Sequence, residues 1–287
     1  MLNWCLAVIM FGIALGIDVK DFRAVIHRPR SIVAGAFSQF FLLPLFTFLL
    51  VWITAPPPAV ALGMILVASC PGGNVSNFIS SLARADIALS VSLTAIATLL
   101  CPVLTPFNFH FWAGILPETA GLLKSFAISF KDILQTVLLV LVLPLALGMG
   151  LKKLSQKTAA TIEKPVKWLS FFILIAFIVV ALFNNFEAFK AHLTTVFFLV
   201  ALHNGIAFGI GYGFGKLSRL SEAECRSLCI ETGIQNSGLG LIIIFTFFGA
   251  NGGMALVAAW WGVWHIAAGL VLTRYFNYKD TRAEAVA

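Results

Sequence analysis

The sequence predicts an all-α, polytopic membrane protein of about nine transmembrane helices in two inverted repeats. Three observations predict it. The 287-residue chain is 60% hydrophobic and 11% charged, with a mean hydropathy of +0.98, where a soluble domain carries about 25% charged residues. Apolar runs of roughly 20 residues, the length that crosses the bilayer core, recur along the whole chain. Two of those runs are interrupted by polar, glycine-bearing clusters, one in each half.

The first span is expected over 2–17. It has no basic leader and no small-residue cleavage site, so it reads as a span and not as a signal peptide. The second, 31–53, holds Gln39 as a lone amide. The third, 59–82, contains the break Cys70-Pro71-Gly72-Gly73-Asn74-Val75-Ser76-Asn77. The fourth, 87–109, carries Ser90 and Thr94 at i, i+4, hence on one face. Residues 110–131 are expected to lie along the outer surface as an amphipathic connection. Five further spans follow at 132–151, 168–184, 193–215, 225–248 and 254–273. His203 and Asn204 lie in the third of these, Glu231-Thr232-Gly233-Ile234-Gln235-Asn236-Ser237-Gly238 breaks the fourth, and His265 follows three tryptophans in the last. The first repeat half is then 1–109 and the second 132–287. Each half runs from a helix with polar residues near mid-membrane to a broken helix and then an intact one.

Charge sets the orientation. Alternate loops hold Lys20, Arg23, Arg28 and Arg30; Arg84; Lys152, Lys153, Lys157, Lys164 and Lys167; Lys216, Arg219 and Arg226; and Arg274, Lys279 and Arg282. The opposite side holds Lys124, Lys131 and Lys190. The basic side is cytoplasmic by the positive-inside rule. The N-terminus is then outside and the C-terminus inside, as an odd number of spans requires. The net charge of +7 is accounted for by topology and implies no nucleic acid. The five cysteines show neither a metal-ligand spacing nor a disulfide framework.

The chemistry concentrates at the two breaks. Freed backbone groups survive at membrane depth only where protein, ions or a water-lined cavity satisfy them, and paired breaks in two halves point to a transporter's binding site. Glu231 is the most telling residue. A carboxylate at mid-membrane costs at least about 2.5–3.5 kcal/mol, and no Lys or Arg lies deep in any span to pair with it. Its partner is expected to be a mobile cation, Na⁺ or H⁺. Ser76, Asn77, Ser90, Thr94, Gln39 and Gln235 supply the hard oxygens that Na⁺ prefers. Singly, each such residue is ordinarily helix glue or a back-bonded hydroxyl; together beside two breaks they form a constellation. The half-helix starting near Ser76 points its positive end into the break, favouring an anionic group there.

At these residues the chain resembles the bile acid:sodium symporter family over nearly its whole length. Residues 70–77 with Leu82-Ala83-Arg84-Ala85-Asp86-Ile87-Ala88-Leu89-Ser90-Val91-Ser92-Leu93-Thr94 match one family signature. Glu224-Cys225-Arg226 leading to residues 231–239 matches the second. The resemblance implies a core domain with two crossing broken helices, a panel domain, and two Na⁺ ions as coupling ions. It implies a first sodium site of Ser76, Asn77, Ser90, Thr94 and Glu231. A second would use Gln39, Glu231, Gln235 and the carbonyls of Thr232 and Ile234. Asn74, Asn236 and His265 would border the substrate. The chain departs from some bacterial relatives at Asn74 and Ile266, so the family name does not fix the substrate, and small organic acids such as pantoate remain open beside bile acids.

The expected function is a sodium-coupled symporter importing an organic anion by alternating access, as a monomer in the bilayer of a bacterial inner membrane. Proton coupling at Glu231, a metalloid exporter using Cys70, and a non-transporting ligand sensor are the alternatives. No HExxH or GxSxG motif supports a membrane enzyme.

Overall fold

A computed structural model describes Phe11 and residues 28–126, 130–184 and 186–286. The expected first span, 2–17, lies outside the described residues apart from Phe11. Every described element is a helix. We number them α1 Pro29–Thr54, α2 Pro58–Ser69, α3 Asn74–Leu82, α4 Ile87–Ile115, α5 Pro117–Ser125, α6 130–154, α7 Gln156–Asn184, α8 Phe186–Leu217, α9 Glu222–Gly233, α10 Ser237–Phe247 and α11 Gly252–Val286. Among the described residues, four stretches are long and apolar enough to cross a membrane: Pro29–Thr54, Ile87–Ile115, Thr194–Leu217 and Gly252–Arg282. The chain is an integral membrane protein.

The two interrupted segments are each a pair of half-helices. Twelve residues in α2 and eleven in α10 make rods of roughly 17–18 Å at 1.5 Å per residue, short of the ~30 Å hydrocarbon core. Pro71 explains the first break. It cannot donate a helical N–H and it drives the preceding residue out of the α region; Cys70 is extended at φ −74°, ψ 156°. The second break contains no proline. There α9 ends at Gly233, Ile234 is extended (φ −112°, ψ 98°), and Asn236 caps α10 by accepting from the Leu239 N–H at 3.0 Å.

The breaks meet each other. Gly72 and Gln235 form an isolated antiparallel bridge. The Gly73 N–H donates to the Ile234 carbonyl (3.1 Å) and the Asn236 N–H to the Pro71 carbonyl (2.8 Å). Two interrupted helices thus satisfy part of each other's freed backbone, as a buried environment demands.

Neighbouring helices satisfy further groups. Thr105 of α4 donates to the Ser69 carbonyl at 2.6 Å, and Gln39 of α1 to the Cys70 carbonyl at 2.9 Å. Pro44 inside α1 frees the carbonyl four residues earlier. There α1 widens into a π-turn over Ser38–Leu42, and Asn108 of α4 donates its amide to the Phe40 carbonyl at 3.0 Å. Helix α4 runs to Ile115, so residues 110–115 complete it and α5 follows, where the sequence pointed to one continuous surface segment. Close packing of α8 on α9 rests on Gly211, where a Cβ would strike the Leu228 carbonyl and the Cys229 backbone.

Polar ties close the ends of the half-helices that lie away from the crossing. Ser221 and Glu224 form a reciprocal capping box at the start of α9, and Ser31 of α1 donates to Glu224 at 2.7 Å. The nearly buried Arg226 donates to both oxygens of Asp280 (2.8 and 2.5 Å) and to the Ala83 carbonyl beyond α3 (3.1 Å). Arg28 pairs with Asp86, the N-cap of α4.

Candidate functional site

Glu231 lies two residues before the end of α9 and is buried. Its carboxylate accepts from three hydroxyls on two other helices. Ser76 of α3 donates to Oε2 at 2.6 Å, Ser90 of α4 to Oε2 at 3.2 Å, and Thr94 of α4 to Oε1 at 2.7 Å. The i, i+4 spacing of Ser90 and Thr94 is what brings both to one carboxylate. Asn77 completes the cluster, its Oδ1 lying 2.9 Å from Ser90 Oγ and 3.3 Å from Thr94 Oγ1. The five residues of the expected first sodium site are therefore together.

The proton count of this cluster is informative. Ser76, Ser90 and Thr94 carry one hydroxyl proton each. Their oxygens make seven donor-type contacts: to the Gly73 and Ser90 carbonyls, to Asn77 Oδ1 twice, and to Glu231 three times. Three protons cannot satisfy seven acceptor contacts. Among the described residues no Lys or Arg pairs with Glu231. Several oxygens around the carboxylate therefore keep free lone pairs, and an oxygen-only cluster of this kind suits a hard cation. The described residues contain no cluster of His, Cys and acidic side chains that would bind a transition metal.

Of the second expected set, Gln39, Gln235 and the Thr232 carbonyl are joined by hydrogen bonds, and Gln39 and Glu231 line one cavity. Gln39 and Gln235 exchange amide hydrogen bonds at 2.6 and 3.2 Å, and Gln235 donates to the Thr232 carbonyl at 2.7 Å. The Ile234 carbonyl already accepts from Gly73 in the crossing. A cavity of about 10 Å³ lies between Gln39 and Glu231, walled by Phe40, Leu93 and Ile96; that is the scale of one water-sized occupant.

Of the three expected substrate contacts, Asn74 begins α3, with its side chain outside the described set. Asn236 uses its Oδ1 to cap α10. His265 is buried on α11 and its Nδ1 has no partner among the described residues. No direct hydrogen bond joins Asn236 to His265. Cys70 is buried, with its Sγ beside Gly240 and so packed into the helix interface.

Several residues that hold the site escape a reading by motif. Ser38 meets Thr232 at 2.9 Å between hydroxyls, and Thr105 and Asn108 carry the carbonyls described above. The available signal was their polarity within apolar helices, which is shared by ordinary back-bonded residues such as Ser69 and Thr98.

Half-helices joined at their breaks beside a buried carboxylate, inside a polytopic helical protein, have the architecture of a secondary transporter. Comparison with known proteins agrees. Residues 3–192 match the model described as the Sodium Bile acid symporter family. The chain is 33% identical over 281 residues to an uncharacterized sodium-dependent transporter of Bacillus subtilis, YocS, covering 98% of this chain and 84% of that protein. It is 30% identical to the probable chloroplastic sodium/metabolite cotransporter BASS1 of Arabidopsis thaliana, covering 94% of this chain and 66% of that protein. It is 31% identical to human sodium/bile acid cotransporter 4, covering 83% of this chain and 54% of that protein. The chain thus spans about half the length of its mammalian relative. It belongs to the sodium bile acid symporter family, and with it to the sodium-coupled membrane transporters.

Proposed function

We propose that this protein imports an organic anion together with two Na⁺ ions by alternating access. The observation that carries the proposal is the proton-poor oxygen cluster around Glu231 at the crossing of the two breaks. The first ion is held by Ser76, Asn77, Ser90, Thr94 and Glu231. The second is held by Gln39, Gln235, Glu231 and the carbonyls of Thr232 and Ile234; reorientation of the two amides presents oxygen to it. Na⁺ neutralises Glu231 and fixes the crossing, which raises affinity for the anion, and the anion in turn raises affinity for Na⁺. The positive ends of α3 and α10 both start at the crossing, which supports an anionic substrate beside Asn74, Asn236 and His265. Bile-acid-like molecules and small organic acids both fit that description.

In this reading nine spans form two inverted repeats, divided into a core that holds the crossing and a panel against which it moves. The N-terminus is outside, the C-terminus is cytoplasmic, and the membrane is a bacterial inner membrane. One parallel supports the repeat. Gln39 donates to a break carbonyl 31 residues later, and Asn204 donates to a carbonyl at the other break 29 residues later. Each donor lies in the helix that precedes its broken helix.

Reconstituted vesicles test the proposal. Uptake of a radiolabelled anion, drawn from a panel including pantoate and taurocholate, is expected with an inward Na⁺ gradient and not with a choline gradient. Uptake driven equally by a proton gradient without Na⁺ would replace the sodium ions by a proton on Glu231. Anion binding without uptake would make the protein a sensor.

A further inference from the structure

We propose that Asn204 is a positioning residue for the second sodium site; this rests on the sodium reading above. Asn204 is fully buried in α8, in a helix that is otherwise largely apolar. Its Nδ2 donates to the Gly233 carbonyl at 2.7 Å. Its Oδ1 has no partner among the described residues, so this one bond is what the amide contributes. Gly233 is the last residue of α9, where the helix can no longer supply an internal donor to its carbonyl.

The consequence follows from peptide planarity. Each peptide plane is rigid, and only φ and ψ at the joints are soft. The Gly233 carbonyl belongs to the plane between the Thr232–Gly233 and Ile234–Gln235 planes. Those two neighbours carry the Thr232 and Ile234 carbonyls, the proposed sodium ligands. Gly233 has no Cβ, so its own φ and ψ are the least restricted in the break. Fixing the central plane from α8 therefore limits rotation of both ligand planes at the point where the chain is softest. Thr232 and Ile234 are further held from other directions, by Ser38 and Gln235 and by Gly73 respectively. Asn204 supplies the hold from α8.

The first break has the matching device. Gln39 donates to the Cys70 carbonyl, but its own oxygen faces Gln235 and the cavity beside Glu231. Gln39 is thus both ligand and clamp, whereas Asn204 is a clamp alone. Next to Asn204, His203 contacts Thr47 of α1 through Nε2 at 2.6 Å and stacks edgewise on Trp261 of α11 at 4.7 Å. This fixes the helical turn that presents Asn204, and it reaches no break carbonyl.

The test measures the Na⁺ concentration that gives half of the maximal thermal stabilisation of the purified protein, with choline chloride holding ionic strength constant. For Asn204→Leu this concentration is expected to rise about tenfold, as loss of one well-made buried hydrogen bond implies. For Asn204→Gln, which keeps a carboxamide donor, it is expected to recover part of that loss. Thr47→Val, which removes the contact to His203 and the back-bond to the Leu43 carbonyl but touches no break carbonyl, is expected to lower the melting temperature in choline without changing the half-effective Na⁺ concentration. If Asn204→Leu does not insert, Asn204→Ser takes its place, with a donor too short to reach Gly233. An unchanged half-effective Na⁺ concentration with a lowered melting temperature in choline would make Asn204 simple interhelical glue and overturn the inference. A wild-type protein indifferent to Na⁺ would overturn the sodium reading, and this inference with it.

Discussion

Gly72 and Glu231 fit together because position 72 has no side chain: a Cβ there would collide with Glu231 Oε1. The first break gives its glycine to make room for the carboxylate of the second broken helix. The same glycine pairs with Gln235 in the backbone bridge. Gly72→Ala is therefore expected to destabilise the protein by about 1–3 kcal/mol through overpacking and to abolish stabilisation by Na⁺. In a Glu231→Ala background the alanine at 72 should cost far less. A double-mutant cycle on thermal stability checks this, and additive effects would show that the two residues do not compete for space.

Glu231→Gln removes the charge and keeps the shape. A buried, unpaired carboxylate is costly, and a neutral amide is less so. The variant is expected to melt at or above the wild-type temperature in choline and to gain nothing from NaCl. Vesicles containing it should show no Na⁺-driven uptake. A normal Na⁺ response would remove Glu231 from both proposed sites.

Ser90→Ala and Thr94→Val each remove one hydroxyl from the carboxylate's surroundings. Each is expected to raise the Na⁺ concentration for half-maximal uptake about five- to tenfold, corresponding to roughly 1–1.4 kcal/mol. Maximal uptake at saturating Na⁺ should stay close to wild type. Na⁺ titration of uptake at fixed anion concentration separates these outcomes, and curves that superimpose on wild type would exclude the hydroxyls as ligands.

Asn108→Leu acts on the scaffold and leaves the ligands in place. It strips the donor from the Phe40 carbonyl, which Pro44 has already freed within α1. A buried carbonyl left unpaired costs about 1–3 kcal/mol. The variant should therefore melt lower in both salts by a similar amount. Because the π-turn also holds Gln39, a modest weakening of the Na⁺ response is expected as well. An unaltered melting temperature would show that the carbonyl finds another donor.

The parts of this structure legible in the sequence are those that local chemistry dictates. Pro71-Gly72-Gly73 breaks a helix, a carboxylate at Glu231 is costly in a membrane helix without a cation or a proton, and Ser90 and Thr94 must share a face. Each of these follows from a handful of neighbouring residues. Helix extents were less legible: α4 passes His110 and reaches Ile115, and α11 extends to Val286, because hydropathy marks the membrane and not the end of the helix. The carbonyl donors were not legible at all. Asn108, Thr105 and Asn204 bond backbone oxygens 68, 36 and 29 residues away, and their sequence surroundings resemble those of any polar residue in an apolar helix. The capping role of Asn236 follows from its place just before α10, which only the exact position of the break reveals.

The most direct measurement is the melting temperature of the purified protein in NaCl against choline chloride, with and without each anion of the panel, for wild type and Glu231→Gln. A ligand that binds the folded state raises apparent stability by mass action. Sodium coupling at Glu231 requires that Na⁺ stabilises wild type, that one anion stabilises it further only when Na⁺ is present, and that Glu231→Gln loses both effects. Stabilisation by acid with no response to Na⁺ would contradict it and make Glu231 a proton carrier.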